Sequence, residues 1–261
     1  MIRRAVLLAF LAVLLPPPSV RAAGPDLAEY RWVQRPGAQL PDNDVLRDDA
    51  GRSVRVGDLM QGRPLILVLG YFHCPNLCGL VRSTLFSALG DTRLAAGRDY
   101  SLAAVSIDPN ETSADSRAAK AADVAAFPQP GAASFWRYLT GDERSITALA
   151  DAIGYRGRFD PRLKQFVHPT GLVIVTPEGV ISSYLLGFSY HPGDLRVALA
   201  RADRGTVQAA ALPVLLLCFH YDPTTGRYTL SILKLLKLAA ALTLLTVAGL
   251  GVFLFRREAQ A

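Results

Sequence analysis

A surplus of one charge sign is missing from the body of this chain. The 261 residues carry a formal charge of +6, from 28 Lys and Arg against 22 Asp and Glu. Between Ala23 and Thr229, however, 21 basic residues face 21 acidic ones, so the excess belongs to the two ends. A neutral body offers no electrostatic footprint for a phosphate backbone, which excludes nucleic acid as a partner. Cysteine is scarce as well. Three cysteines are too few for a disulfide scaffold, and an odd number in an exported chain points to thiol chemistry rather than stapling. Internal repeats are missing, and Ala richness is the only compositional bias. About 200 residues remain between the ends, enough for one domain with its own core.

The longest apolar runs are confined to the ends. The opening MIRRAVLLAFLAVLLPPPSVRAAG has Arg3 and Arg4, an apolar stretch at 5–15 and the small-residue pattern Val20-Arg21-Ala22. This is the layout of a secretory signal peptide over residues 1–22, with an apolar stretch too short to span a bilayer. Few hydroxyl residues and only three arginines argue against an organelle transit peptide, so a bacterial periplasm is expected. Residues 238–255, LAAALTLLTVAGLGVFLF, carry no charge. Eighteen residues at about 1.5 Å each cover about 27 Å, close to a bilayer core. Lys234 and Lys237 lie before this run and Arg256 and Arg257 after it. The expectation is a periplasmic domain at 23–205, a membrane-proximal linker at 206–230, a C-terminal transmembrane helix at 231–256 in the inner membrane, and a cytoplasmic tail at 257–261.

Between the ends the apolar pattern alternates between strand and helix. Residues 40–59 predict a hairpin turning at Asp49-Ala50-Gly51. Residues 64–72 form a continuous apolar run of strand length, the mark of a strand covered on both faces. Cys74 or Asn76 is expected to cap a helix reaching about residue 89, with Pro75 in its first turn. A second buried strand is predicted at 100–107, a helix at 113–127, a strand at 136–140 and a helix at 145–153. Residues 155–167 read as an irregular polar loop. Strands at 172–176 and 180–186 flank Pro177-Glu178-Gly179, and a helix follows at about 194–204. This order is that of an α/β thioredoxin-like sandwich with an N-terminal hairpin. Its cysteines lie at the C-terminal end of a central strand, where open α/β sheets place their sites.

The stretch GYFHCPNLC sets Cys74 and Cys78 four residues apart. On one helix such positions share a face, with Cβ atoms about 5–6 Å apart. That spacing lets the sulfurs separate around an ion or close into a disulfide. A helix N-terminus favours thiolate, and soft thiolates select Cu(I) or Zn. Cu(I) readily takes a third ligand. Spacing alone does not choose among His73, His168, His191 and His220. In a thioredoxin-type sheet, however, the loop-to-strand junction holding His168 packs beside the cysteine helix. His73 should point away from Cys74, as neighbours on an extended strand end do.

GYFHCPNLC, the SIDPNET segment at 106–112, LTGDE at 139–143 and VHPTGLVIVTPEG at 167–179 occur together and in this order. In that combination the chain resembles the Sco/SenC family over residues 40–200. The resemblance implies a membrane-anchored thioredoxin fold that helps assemble the Cu-A centre of cytochrome c oxidase. It implies copper ligation by Cys74, Cys78 and His168, with Asp108 beside the metal. The chain departs from the family at Val167, where many relatives carry an acidic residue. It also has Pro169 after the histidine, and its clearest predicted span is C-terminal where many relatives are anchored at the N-terminus.

The leading expectation is a copper chaperone serving the copper-bearing oxidase subunit; no substrate turnover is required. A membrane-anchored thiol–disulfide oxidoreductase acting on the acceptor's cysteines, with Cys74 attacking and Cys78 resolving, is the second. A copper or redox sensor is the third, although no effector segment is recognisable. Cys218, in CFHYD before the anchor, reads as a free thiol at the membrane surface. The alternatives are a second copper contact shared with His220 and an intermolecular disulfide. For Asp108 the plain alternative is a turn cap before Pro109.

Overall fold

A computed structural model of the chain describes residues 30–74, 78–161, 164–210, 219–222, 227–230, 239–244, 246–247 and 249. The apolar run at 64–72 becomes strand β3, Leu65–Gly70. Leu65, Leu67 and Leu69 enter one core, while Ile66 and Val68 enter a second on the opposite face. Successive strand side chains point to opposite faces, so a strand between two layers must be apolar at every position.

Six further strands complete the sheet around it. β4 (Ser101–Ser106) pairs parallel with β3, and β5 (Trp136–Thr140) parallel with β4. Parallel pairs need long crossovers. These are supplied by helices α1 (Cys78–Gly90) and α2 (Ser113–Ala126), the latter started by a capping box between Thr112 and Asp115. β1 (Val45–Asp48) and β2 (Ser53–Arg55) form the expected hairpin and extend the sheet beyond β5. On the other side β8 (Gly171–Val175) runs antiparallel to β3, and β9 (Ile181–Leu186) closes the sheet. The order is β2-β1-β5-β4-β3-β8-β9.

Helices cover both faces. α4 (Glu143–Ala152) contributes Ile146 and Leu149 to the Leu67 core, while α1 and α5 (Pro192–Asp203) contribute Phe86, Leu89, Leu195 and Leu199 to the Ile66 core. A single short turn, α3 (Ala132–Phe135), leads into β5. The thioredoxin-like α/β sandwich expected from the sequence is present.

Two expectations are corrected. The stretch 155–167 is not wholly irregular: β6 (Arg158–Asp160) and β7 (Gln165–Val167) pair antiparallel, Phe159 opposite Phe166. Three-residue strands with polar ends show too little alternation to be read in advance. The second correction concerns the C-terminal transmembrane helix expected at 231–256. Among the described residues no helix is long and apolar enough to cross a membrane. The expected transmembrane helix rested on apolar composition alone, and the single C-terminal membrane span is not supported. Where the linker was expected, β10 (Phe219–Asp222) and β11 (Arg227–Leu230) make an antiparallel hairpin. The signal peptide at 1–22 and Cys218 lie outside the described residues.

Candidate functional site

Strand register decides what meets at one edge of the sheet. Gly70 of β3 is level with Ser106 of β4, so the segments that follow, 71–74 and 107–112, leave side by side. Because β8 is antiparallel to β3, with Leu65 opposite Val175 and Leu67 opposite Val173, its beginning lies at the end of β3. His168 sits just before that beginning, in the short connection between β7 and β8. α1 opens with Cys78 at the same edge. The result is a contact between residues 90 apart in the chain: Cys78 Sγ lies 3.3 Å from His168 Nε2.

The imidazole is held from several sides. Its Nδ1 lies 3.0 Å from the Pro169 carbonyl oxygen. Donation from Nδ1 to that acceptor leaves the Nε2 lone pair for the sulfur, or for a metal. Tyr155 stacks on the ring with centroids 5.7 Å apart, and Tyr71 meets it edge-on at 6.1 Å. Phe166 packs on Tyr71 in turn. Gly157 backs the histidine so closely that an added Cβ would fall 2.8 Å from His168 Cβ.

Cys78 is buried and Cys74 half-buried, and neither is in a disulfide. Cys74 itself is not helical and Cys78 is the first described residue of α1; the expected first turn at Pro75 and cap at Asn76 lie outside the described residues. The Cys74 side chain nevertheless interacts with the Cys78 thiol and the Tyr71 hydroxyl. The expected thiolate is also corrected for the metal-free pair. Burial, reinforced by Cys74, pushes the Cys78 thiol up to about 12, against the opposing pull of the Tyr71 backbone N–H and the Arg82 charge. Arg82 is itself committed, with Nε 2.7 Å from Asp123 Oδ2, an oxygen that also accepts from the Tyr138 hydroxyl at 2.6 Å. Tyr71 and Tyr155 have their hydroxyl pKa values raised, chiefly by burial. Among the described residues, no three or more metal-ligating side chains are already gathered as a closed shell.

Asp108 Oδ1 accepts from the Asn110 backbone N–H and side-chain amide, both at 2.9 Å, the bonds of a turn cap. Asp108 also lines a groove of about 790 Å³ with Tyr155, Gly157 and Phe166, the residues packed about His168 and Tyr71. His73 pairs with Glu111, and His191 caps α5 by accepting from the Gly193 N–H at 3.2 Å. His220 lies in β10 opposite Thr229. Sequence reasoning missed Glu111, Tyr71, Tyr155 and Gly157. For Glu111 a signal was present, since the quoted SIDPNET segment contains it.

Comparison with known proteins bears on the family and the fold. The sequence model of the SCO1/SenC family matches residues 38–199, more than half of the chain. No curated protein matches it. A crystal structure of a proposed electron transfer protein from Aquifex aeolicus VF5 is 26% identical, with a TM-score of 0.57 over 65% of this chain and 95% of that one. Two others support the fold alone. Arabidopsis thaliana ScoI with copper bound is 21% identical, TM-score 0.50, over 65% of this chain and 98% of its own. A SCO1/SenC family lipoprotein from Bacillus anthracis str. Ames is 16% identical, TM-score 0.52, over 64% and 97%. With its family match spanning the sheet, the cysteine loop and the histidine opposite it, this chain belongs to the SCO1/SenC family.

Proposed function

We propose that the chain carries copper on Cys74, Cys78 and His168 and delivers it to, or prepares, the Cu-A centre on the copper-bearing subunit of cytochrome c oxidase. The observation that carries this reading is the 3.3 Å approach of Cys78 Sγ to His168 Nε2. Cys78 and His168 would hold a soft ion between a thiolate sulfur and an imidazole nitrogen that are already neighbours. Cys74, whose side chain already interacts with the Cys78 thiol, supplies the third donor. Two thiolates and an imidazole form a soft set suited to Cu(I). Copper in the Arabidopsis ScoI structure fits this chemistry. Binding must displace the Cys78 proton that burial holds in place, so loading releases protons and weakens as pH falls. In this reading the domain works in the periplasm.

The test is Cu(I) binding by the wild-type chain against Cys78→Ser and His168→Ala. One copper per chain and a large loss of affinity in both variants are expected. A His168→Ala chain that binds normally and still supports oxidase assembly refutes the three-ligand site. A second reading, thiol–disulfide exchange on the acceptor's cysteines, is favoured by the unequal exposure of the pair. Half-buried Cys74 suits the attacking role and buried Cys78 the resolving one. In that case His168→Ala leaves activity intact.

A further inference from the structure

Beneath the cysteine loop lies a carboxylate whose acceptor positions are all in use. The Glu111 side chain is only 4% exposed. Its Oε2 accepts from the Phe72 backbone N–H at 2.8 Å and the Ser106 hydroxyl at 2.6 Å. Its Oε1 accepts from the His73 backbone N–H at 2.7 Å and has His73 Nδ1 at 3.1 Å. A carboxylate offers about four lone-pair positions, and four groups fill them. Both backbone donors lie between the end of β3 and Cys74. The His73 side chain is 70% exposed, and amides in such surface loops ordinarily bond to water. Instead two successive N–H groups converge on one buried acceptor, which fixes the peptide planes leading into Cys74. Glu111 reaches them because Gly70 and Ser106 are level.

We propose that Glu111 is the positioning residue of the thiol pair: by clamping the Phe72 and His73 amides it holds Cys74 within reach of Cys78. The inference deepens the copper reading of this site and rests on it only for the metal readout. Fixing one thiol beside another raises their effective concentration, whether the product is a disulfide or a shared ion.

Equilibration with glutathione tests it. Cys74 and Cys78 give up two protons and two electrons as their S–S bond forms. The S–S bond of oxidised glutathione breaks and takes them up as two molecules of reduced glutathione. The equilibrium constant reads the effective concentration of the pair. Glu111→Gln keeps the shape but turns an NH₂ toward a backbone N–H that needs an acceptor. The expected fall is about tenfold or more, with Cu(I) affinity falling in parallel. Ser106→Ala, which spares both amide bonds, changes either by no more than about twofold. A lower melting temperature in Glu111→Gln with an unchanged glutathione equilibrium makes the role merely structural and overturns the proposal. If that variant fails to fold, the wild-type chain carries the test. The Phe72 and His73 amide protons should exchange with solvent at least about a hundredfold slower than free amides, and unprotected amides overturn the clamp. A glutathione shift in a protein that binds no copper refutes the copper reading and leaves the clamp standing.

Discussion

Gly157 occupies a position where only a hydrogen fits. A methyl group there would fall 2.8 Å from His168 Cβ and 3.2 Å from the Val167 carbonyl oxygen. Unstrained carbon contacts begin near 3.5 Å, so Gly157→Ala requires a separation of roughly 0.7 Å. The backbone at Gly157 is not in the left-handed region, so the whole effect is one of space. His168 has little freedom to yield, being stacked on Tyr155 and bounded by Tyr71. Displacement therefore goes into the 3.3 Å approach of Nε2 to Cys78 Sγ. Overpacking of this kind costs about 1–3 kcal/mol. Expressed in the ligand geometry, that weakens Cu(I) binding by roughly ten- to a hundredfold. Competition with a chromophoric Cu(I) chelator measures the affinity, and a thermal melt separates it from global destabilisation. Equal copper affinity in Gly157→Ala and wild type refutes the claim that the 156–158 segment fixes the imidazole.

Three further outcomes are expected. In the reduced, metal-free chain near pH 8, iodoacetamide should label Cys74 well before Cys78, because burial pushes the Cys78 thiol up to about 12; equal labelling, read by mass spectrometry, refutes this. Burial alone would raise the Asp48 carboxyl, but the Arg52 side chain, the Arg52 and Ala50 backbone N–H groups and the Arg52 charge together hold it below the usual range. Its stabilisation is therefore full above an unfolded value of about 3.9 and lost as pH falls through the lower folded value. Melting curves across this window should be flatter for Asp48→Asn than for wild type. Leu67→Ala, which empties a fully buried position in the central strand, should cost about 2–5 kcal/mol in denaturant unfolding, and a loss under about 1 kcal/mol contradicts its place in the core.

The sheet was largely legible because its signals are strong and local. β3 is apolar at five successive positions, which only a strand covered on both faces tolerates, and the turn at 49–51 carries glycine where φ is +81°. His168 could be singled out because topology, not spacing, puts the start of a late antiparallel strand beside the end of β3. Glu111 was hidden for a physical reason. A carboxylate in a polar turn reads as solvated, and nothing in its neighbours shows that two amides 38 and 39 residues earlier will converge on it. That Cys74 is itself not helical escaped for a related reason: four-residue spacing fits a helix and does not say which residues belong to it. For the apolar run near the C-terminus, hydropathy measures how well a segment would sit in lipid, not whether it forms a helix of spanning length, and among the described residues no helix is long and apolar enough.

The antiparallel docking of β8 has a consequence for biogenesis. The two thiols are neighbours in the chain and can meet as soon as α1 forms, but the imidazole joins them only after a loop of 90 residues closes, a late event by loop-closure entropy. A nascent molecule thus exposes its sulfurs to oxidation before the imidazole reaches them, and only the finished domain brings the ring against Cys78.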